Sequence, residues 1–369
     1  MARAGLGNAW TCLFANDIDE KKGASYTSNW GGGDLRVADI ADLKGWDLPE
    51  RADLAWGSFP CQDLSLAGDY RGLDGKRSGT FWQFWRLMEE LTIEKRGPKV
   101  IVLENVCGAI TSHRGKDFAA IGSALACGGY RFGAVVMDAV HFVPQSRPRL
   151  FVVAVRTDCG IAESLVRKGP DPVWHPANLI SAQAQMSQEA RATWAWWQLP
   201  APPRREVRFA DLIETDPEDV KWNTSAETRK LLAMMSDLNR KKVELAKAMG
   251  RRVVGGLYKR TRLNEEGVRV QRAEVRFDDV AGCLRTPVGG SSRQSILVVE
   301  EKEVRSRLLS PREAARLMGL PESYRLPKNY NEAYHLVGDG VAVPVVRFLA
   351  AHLLETLVRP GSRRRKVAA

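Results

Sequence analysis

Four residues of this chain combine a reactive side chain with a strand-end position: Cys61, Glu104, Arg147 and Arg149. Cys61 follows proline in Gly57-Ser58-Phe59-Pro60-Cys61-Gln62, and the apolar stretch Ala52 to Ala55 before it reads as a short strand with a turn at Gly57. A residue just past the carboxyl end of a strand in an open parallel sheet sits where ligands bind. Pro60 fixes its own backbone angle and biases Phe59 away from helix, so the loop carrying the thiol is stiff. A thiolate held there is a covalent nucleophile; the competing reading is a buried, inert cysteine.

Glu104 ends the strongly apolar Val100-Ile101-Val102-Leu103, a strand of the buried parallel type, and leads into Asn105-Val106. Partial burial would raise its pKa and let it hold or donate a proton near neutrality, unless it only caps a helix or faces water. Arg147 and Arg149 stand two apart in Gln145-Ser146-Arg147-Pro148-Arg149, so on an extended segment they point the same way. Such a pair can grip a phosphate or a base edge, or be plain surface charge. Asp17 and Asp39 complete the set. Asp17 closes the apolar run Thr11 to Ala15, where an acid accepts from ribose hydroxyls, while Asp19 is placed to cap the helix after it. Asp39, in Val37-Ala38-Asp39-Ile40, can accept from an exocyclic amine or cap a turn.

The elements that must position these groups alternate between strand and helix, which predicts an α/β sheet. Thr80 to Lys95 reads as a helix with Phe81, Phe84, Leu87, Met88 and Leu91 on its core face. Asp117 to Cys127 reads as a helix, with strands at Tyr130 to Asp138, Leu150 to Val155 and Ser295 to Glu300. Between them, Asp69 to Gly79 is a polar, glycine-rich loop able to close over a substrate. From Arg156 to Phe277 the alternation is lost, and basic runs (Arg204-Arg205, Arg240-Lys241-Lys242, Arg251-Arg252, Lys259-Arg260) suggest a second module that follows a phosphate backbone. Ser310-Pro311-Arg312-Glu313 is a helix start with a capping box. A last helix runs from Gly338 to about Leu357, and Arg363-Arg364-Arg365-Lys366 forms a basic tail.

At 369 residues the chain exceeds one typical domain. Its net charge of +11, from 55 Lys and Arg against 44 Asp and Glu, points to a polyanionic partner or to solubility alone. The cysteines at 12, 61, 107, 127, 159 and 283 form no CxxC pair. That argues against a zinc site and a disulfide-stapled secreted domain, and fits a reducing cytoplasm. No stretch reads as a membrane span or signal peptide, so neither metal nor membrane is expected.

Phe59-Pro60-Cys61-Gln62, Glu104-Asn105-Val106, Gln145-Ser146-Arg147-Pro148-Arg149, Leu317-Met318-Gly319 and Gly338-Asp339-Gly340-Val341 occur in an order that resembles the DNA cytosine-5 methyltransferases, over most of residues 1 to 160 and 280 to 355. The resemblance implies a Rossmann-like α/β methyltransferase sheet that takes S-adenosylmethionine and acts on C5 of a cytosine flipped out of double-stranded DNA. It implies that Cys61 attacks C6, Glu104 holds N3, Arg149 binds O2 and Arg147 aligns the base or the nucleophile. For the cofactor it implies Asp17 on the ribose, Ile18 against the adenine face, Asp39 on the adenine amine with Ile40 beside it, and Phe59 and Pro60 between the two pockets. Phe81, with the backbone near Asp339 and Val341, would close the methionine end. The domains expected are a catalytic part at 1–158, a target-recognition region at 159–280, the rest of the catalytic part at 281–357 and a tail at 358–369.

Members of the family start with a strand and an Asp-Leu-Phe-x-Gly-x-Gly turn, whereas Met1 to Gly7 looks like the helix that follows that turn. The first strand and glycine turn are therefore expected to be missing, which would leave a gap in the sheet and weaken the cofactor site. Asp339-Gly340 also stands where Asn-Ser is commoner. The expected protein is a cytoplasmic, nucleoid-bound, monomeric enzyme of a restriction-modification system, with a separately encoded restriction endonuclease as partner, or an orphan enzyme. The alternatives are a tRNA cytosine-5 methyltransferase and a truncated, inactive DNA-binding remnant.

Overall fold

The computed structural model describes residues 1–59, 79–263, 267–285 and 293–359. Helix α1 (Ala2–Leu6) precedes strand β1 (Ala15–Asp17), helix α2 (Glu20–Trp30), β2 (Leu35–Val37) and β3 (Leu54–Ser58). Then α3 (Thr80–Ile93), β4 (Val100–Val106), α4 (Lys116–Cys127), β5 (Tyr130–Asp138) and β6 (Pro148–Arg156) continue the α/β alternation. The short strands β7 (Val166–Arg167) and β8 (Trp196–Trp197) flank α5 (Ala177–Ala184) and α6 (Gln188–Ala192). After them come α7 (Ser225–Ala233), α8 (Asp237–Ala248), β9 (Val253–Leu263), β10 (Arg269–Arg276), β11 (Ser295–Glu300) and β12 (Glu303–Leu308). The described chain closes with α9 (Pro311–Leu317), α10 (Tyr330–Asp339) and α11 (Val343–Leu349), the last continuing in helical form to Val358.

Two compact units result. One holds Asn8–Met137, Pro148–Ala201 and Arg347–Ala369; the other holds Met1–Gly7, Asp138–Arg147 and Pro202–Val346. The division after Ala201, rather than at the expected residue 158, has a packing reason: Leu179, Ala190 and Trp194 are buried in the same core as α3 and β4.

In the first unit a four-stranded sheet runs in the order β3-β4-β6-β5. Strand β4 pairs parallel with β3 and antiparallel with β6, and its Val100 to Leu103 are at most 3% exposed. Burial on both faces is why it reads as an unbroken apolar run. Helix α3 covers the sheet with Phe81, Phe84, Trp85, Leu87, Met88 and Leu91, all buried. Strands β1 and β2 form a separate parallel pair, so this unit holds more than one sheet. Strand β1 ends two residues later than the apolar run Thr11 to Ala15 suggests, and β2 ends three residues earlier than Val37-Ala38-Asp39-Ile40 suggests. Asp19 caps α2, accepting from the backbone of Lys21 and Lys22 at 2.8 and 3.2 Å.

The second unit is built on an antiparallel sheet, β10-β9-β11-β12, with α7 and α8 against it over Leu231, Met235, Val243, Ala246, Leu257, Val275 and Leu297. Its polar keystone is Arg307 with Glu313, both 0% exposed. The guanidinium donates to the two carboxylate oxygens at 2.8 and 2.6 Å. Glu313 also accepts from the backbone of Ser310 and Glu214 at 2.8 Å each. The expected capping box is present, with Ser310 Oγ accepting from Glu313 at 3.1 Å. The last helix starts later than expected, at Val343, because α10, capped by Asn329, ends at Asp339 and the chain turns extended at Gly340. The run Tyr330–Val358 is long and apolar enough to cross a membrane, yet Val337, Val346, Leu349, Leu353 and Leu354 are fully buried in the protein, as in a core helix.

Two stability predictions follow from these buried groups. Glu313→Gln leaves the Arg307 charge buried without a counter-charge, and the urea midpoint is expected to fall by the equivalent of about 3–5 kcal/mol. His175 is 1% exposed, and its Nδ1 accepts from Asp171 N at 2.8 Å. Burial pushes its pKa down to about 4. The unfolded imidazole, with a pKa of about 6.5, takes up a proton that the folded one refuses. Stability is therefore full above pH 6.5 and is expected to fall as the pH drops from 6.5 towards 4. His175→Asn should flatten that decline in a pH series of unfolding curves.

Candidate active site

Strand β4 sets the geometry because both of its neighbours are in register with it. Ser58 of β3 lies opposite Glu104, and Arg149 of β6 lies opposite Val106. Since alternate residues of a strand share a face, Glu104 and Arg149 emerge on the same side. Arg149 Nε lies 3.4 Å from Glu104 Oε1, with the two side chains 13% and 10% exposed. Most of this ion pair is therefore out of water, where its charges act strongly on a ring placed against it. Asn105 points its amide the other way and donates to Phe59 O at 2.9 Å, inside the protein. Phe59 is 7% exposed and packs on Phe81, with ring centroids 5.6 Å apart. The chain is thus clamped by backbone and ring one residue before Pro60. Pro60 and Cys61 themselves, and most of the loop after them, lie outside the described residues. Asn105 is a positioning residue that sequence reasoning quoted without giving it a task; an amide beside a strand-end carboxylate was the available signal.

Arg147 lies in different surroundings from Arg149. Expected to align a base or the nucleophile beside Arg149, it is 1% exposed and holds backbone. Its guanidinium donates to Gly338 O at 2.7 Å, Gly340 O at 2.6 Å and Leu284 O at 3.0 Å, and meets Cys283 Sγ at 3.3 Å. Gly338 and Gly340 sit at the carboxyl end of α10, whose last carbonyls have no partner within the helix and favour a cation. Arg147 also precedes the first residue of β6, so the two-residue spacing does not place it on that strand's face with Arg149. Gln145, fully buried, extends the seam by donating to Leu317 O at 2.8 Å and accepting from Leu284 N at 3.2 Å. Together they fix the backbone around Asp339, which is exposed, and Val341, which is 5% exposed.

The parallel pair β1 and β2 presents the other expected group. Asn16 Nδ2 donates to Arg36 O at 3.0 Å and Ala38 O at 2.9 Å, and Ala38 N donates to Asp17 O at 3.1 Å. Asp17 and Asp39 thereby sit at the carboxyl ends of adjacent parallel strands. Each uses one oxygen to hold a local turn: Asp17 Oδ1 accepts from Asp19 N, and Asp39 Oδ1 accepts from Ala41 N, both at 2.9 Å. The second oxygen of each meets no donor among the described residues, and both are acceptors for hydroxyl or amine hydrogens. Ile18 between them is 66% exposed, an apolar side chain left for a flat ligand to cover, while Ile40 packs towards the core. Two free acceptor oxygens flanking an exposed isoleucine fit a nucleoside.

The chain is similar to known proteins over most of its length. A profile of the C-5 cytosine-specific DNA methylase family matches residues 2–355. Type II methyltransferase M.HpaII of Haemophilus parainfluenzae is 26% identical over 366 residues, covering 94% of this chain and 84% of the relative. Type II methyltransferase M.HhaI of Haemophilus parahaemolyticus is 22% identical over 347 residues, covering 94% and 88%. Among solved structures, the S. pombe Dnmt2 methyltransferase shares the fold with a TM-score of 0.54 at 18% identity, covering 94% of this chain and 91% of that one.

Parallel lysine substitutions separate the two arginines, because lysine keeps the charge but lacks the planar fork. Arg147→Lys leaves buried carbonyls without donors and is expected to lower stability by about 2–4 kcal/mol. Arg149→Lys should change the unfolding midpoint little and lower methyl transfer about 100-fold, the usual effect of losing one aligned donor. Thermal melts and turnover on the same preparations check both.

Proposed function

The chain belongs to the C-5 cytosine-specific DNA methylase family, and from that premise we propose which of its residues carry the reaction. It is an enzyme with a Rossmann-like α/β core that transfers a methyl group from S-adenosylmethionine to C5 of cytosine in DNA. The cofactor supplies an electrophilic methyl group on a sulfonium sulfur. What the protein must supply is a group that adds to the ring, because C5 of cytosine is unreactive until something adds at C6.

The Cys61 thiolate adds to C6, and the electron pair of the C5–C6 double bond moves towards C5 and N3. Glu104 holds a proton at N3, so that this density does not build up as charge, and Arg149 donates to O2. Asn105, by fixing Phe59, keeps the thiol in reach of the ring. Once C5 carries the methyl group, a base removes the C5 proton, the electrons restore the double bond, and the thiolate leaves C6. Asp17 accepts from the ribose hydroxyls and Asp39 from the adenine amine, with Ile18 and Ile40 against the ring. Phe59 and Pro60 line the junction of the two pockets, and Phe81 borders the methionine end. The observation that carries this reading is the nearly buried Glu104–Arg149 pair on the strand whose neighbouring Asn105 clamps the approach to Cys61.

The region 159–280 recognises the target, and its contacts offset the few kcal/mol needed to turn a base out of the duplex. In the cell the enzyme works in the cytoplasm on the nucleoid, modifying sites that a separately encoded restriction endonuclease would otherwise cut.

Incubation with labelled S-adenosylmethionine and either duplex DNA or tRNA, followed by digestion to nucleosides, tests the proposal. Label is expected in 5-methyldeoxycytidine from DNA, and Cys61→Ala should abolish it. Label in tRNA alone, or undiminished label with Cys61→Ala, would overturn it.

A further inference from the structure

The antiparallel sheet of the second unit narrows sharply along β9. Strand β11 pairs with β9 only from Val253 to Leu257. Beyond that, β9 and β10 continue for six residue pairs, from Tyr258 opposite Glu274 to Leu263 opposite Arg269, with only the bridge from Ala273 to Met235 beside them among the described residues. At ~3.4 Å per residue this ribbon is ~17 Å long. From Lys259 to Leu263 β9 is wholly exposed. A two-stranded ribbon is marginal in water without a partner, and this one has little apolar surface to hold it.

Its two faces differ. Ala273 is 0% exposed and packs with Met235 and Leu257, so the face it shares with Lys259, Thr261, Gln271 and Arg269 is closed at its base by α7 and α8. The other face carries Tyr258, Arg260 and Arg262 beside Arg272 and Glu274. There, Arg260 lies directly opposite Arg272. Like charges in that position destabilise a ribbon, and a polyanion removes the penalty. Glu274 lies between, with its oxygens 3.5 Å from Arg260 Nε and 2.6 Å from Arg262 Nε. Both contacts use Nε, while the terminal amino groups are a pair with which an arginine can take O6 and N7 of guanine. Tyr258, on the same face, lies over Gly282, where an added Cβ would come within 2.5 Å of its hydroxyl. The arginine face is thus the side on which the segment pinned by Arg147 runs.

We propose that the β9–β10 ribbon enters the major groove of the target duplex and that Arg260 and Arg262, aligned by Glu274, read guanines beside the methylated cytosine. The groove, ~12 Å wide and ~8.5 Å deep, admits a two-stranded ribbon. This rests on the reading of the chain as a DNA methyltransferase, and it assigns the reading of sequence to two residues that the chemistry does not use. Lys259, on the other face, meets phosphate and carries no base preference.

The test uses the full chain and a randomised duplex library, with bound DNA sequenced and affinity for a fixed random duplex measured in parallel. Wild-type protein should enrich a motif containing guanine. Arg260→Ala and Arg262→Ala should each lose at least tenfold preference for guanine at one position, while general duplex affinity changes less than threefold. Glu274→Gln should blur the same positions, and Lys259→Ala should weaken all sequences alike. An unchanged motif in both arginine variants, or no motif from the wild type, would overturn the proposal. Methyl transfer to duplex DNA, measured on the same preparations, reports separately on the catalytic reading: if transfer stands and the motif does not move, the ribbon assignment alone fails.

Discussion

The arrangement of the catalytic end depends on one constraint: β4 is hydrogen-bonded along both edges and buried on both faces. A strand held that way cannot slip by one residue without turning its apolar side chains inside out. Its register is therefore firm, and the side chains at its carboxyl end inherit that firmness. Glu104 meets Arg149 across one edge, while Asn105, one residue on, reaches Phe59 across the other. Glu104 and Asn105, adjacent on β4, and Arg149, on β6 beside it, are thus placed by the register of two paired strands, a rigid support.

Buried arginines do two different kinds of work here. Arg307 and Arg147 are fully enclosed and exist to satisfy acceptors that folding strands inside the protein: the Glu313 carboxylate in one case and the helix-end carbonyls of Gly338 and Gly340 in the other. Arg149 keeps some access to solvent, pairs with the Glu104 carboxylate and donates to Pro148 O at 2.9 Å. Residue type and spacing made Arg147 and Arg149 look equivalent. Burial and partners separate them: Arg147 is enclosed and Arg149 is partly exposed.

Elements whose signal is local were legible in the sequence. The capping box at Ser310 and Glu313 and the apolar stripe of α3 depend on residues within one or two turns, and both are present as expected. The short parallel pair β1 and β2 was found but misplaced, because its limits are set by pairing across some 20 residues and by the amide of Asn16. The task of Arg147 was illegible for the same reason in stronger form. Its acceptors stand 137 to 193 residues away in the chain, and no pattern near the arginine encodes them. Asp17 and Asp39 were correctly placed at strand ends, while their turn-holding oxygens show that capping and ligand binding are compatible uses of one carboxylate.

The central claim is that Glu104 and Arg149 embrace the ring that Cys61 attacks. A structure of the protein trapped on duplex DNA containing 5-fluorocytosine tests it most directly, since fluorine at C5 cannot leave as a proton and the adduct persists. The account predicts a bond from Cys61 Sγ to C6, with the Glu104 carboxyl within hydrogen-bond distance of N3 and the Arg149 guanidinium at O2. A trapped base that lies away from the Glu104–Arg149 pair, or no bond from Cys61, would contradict it.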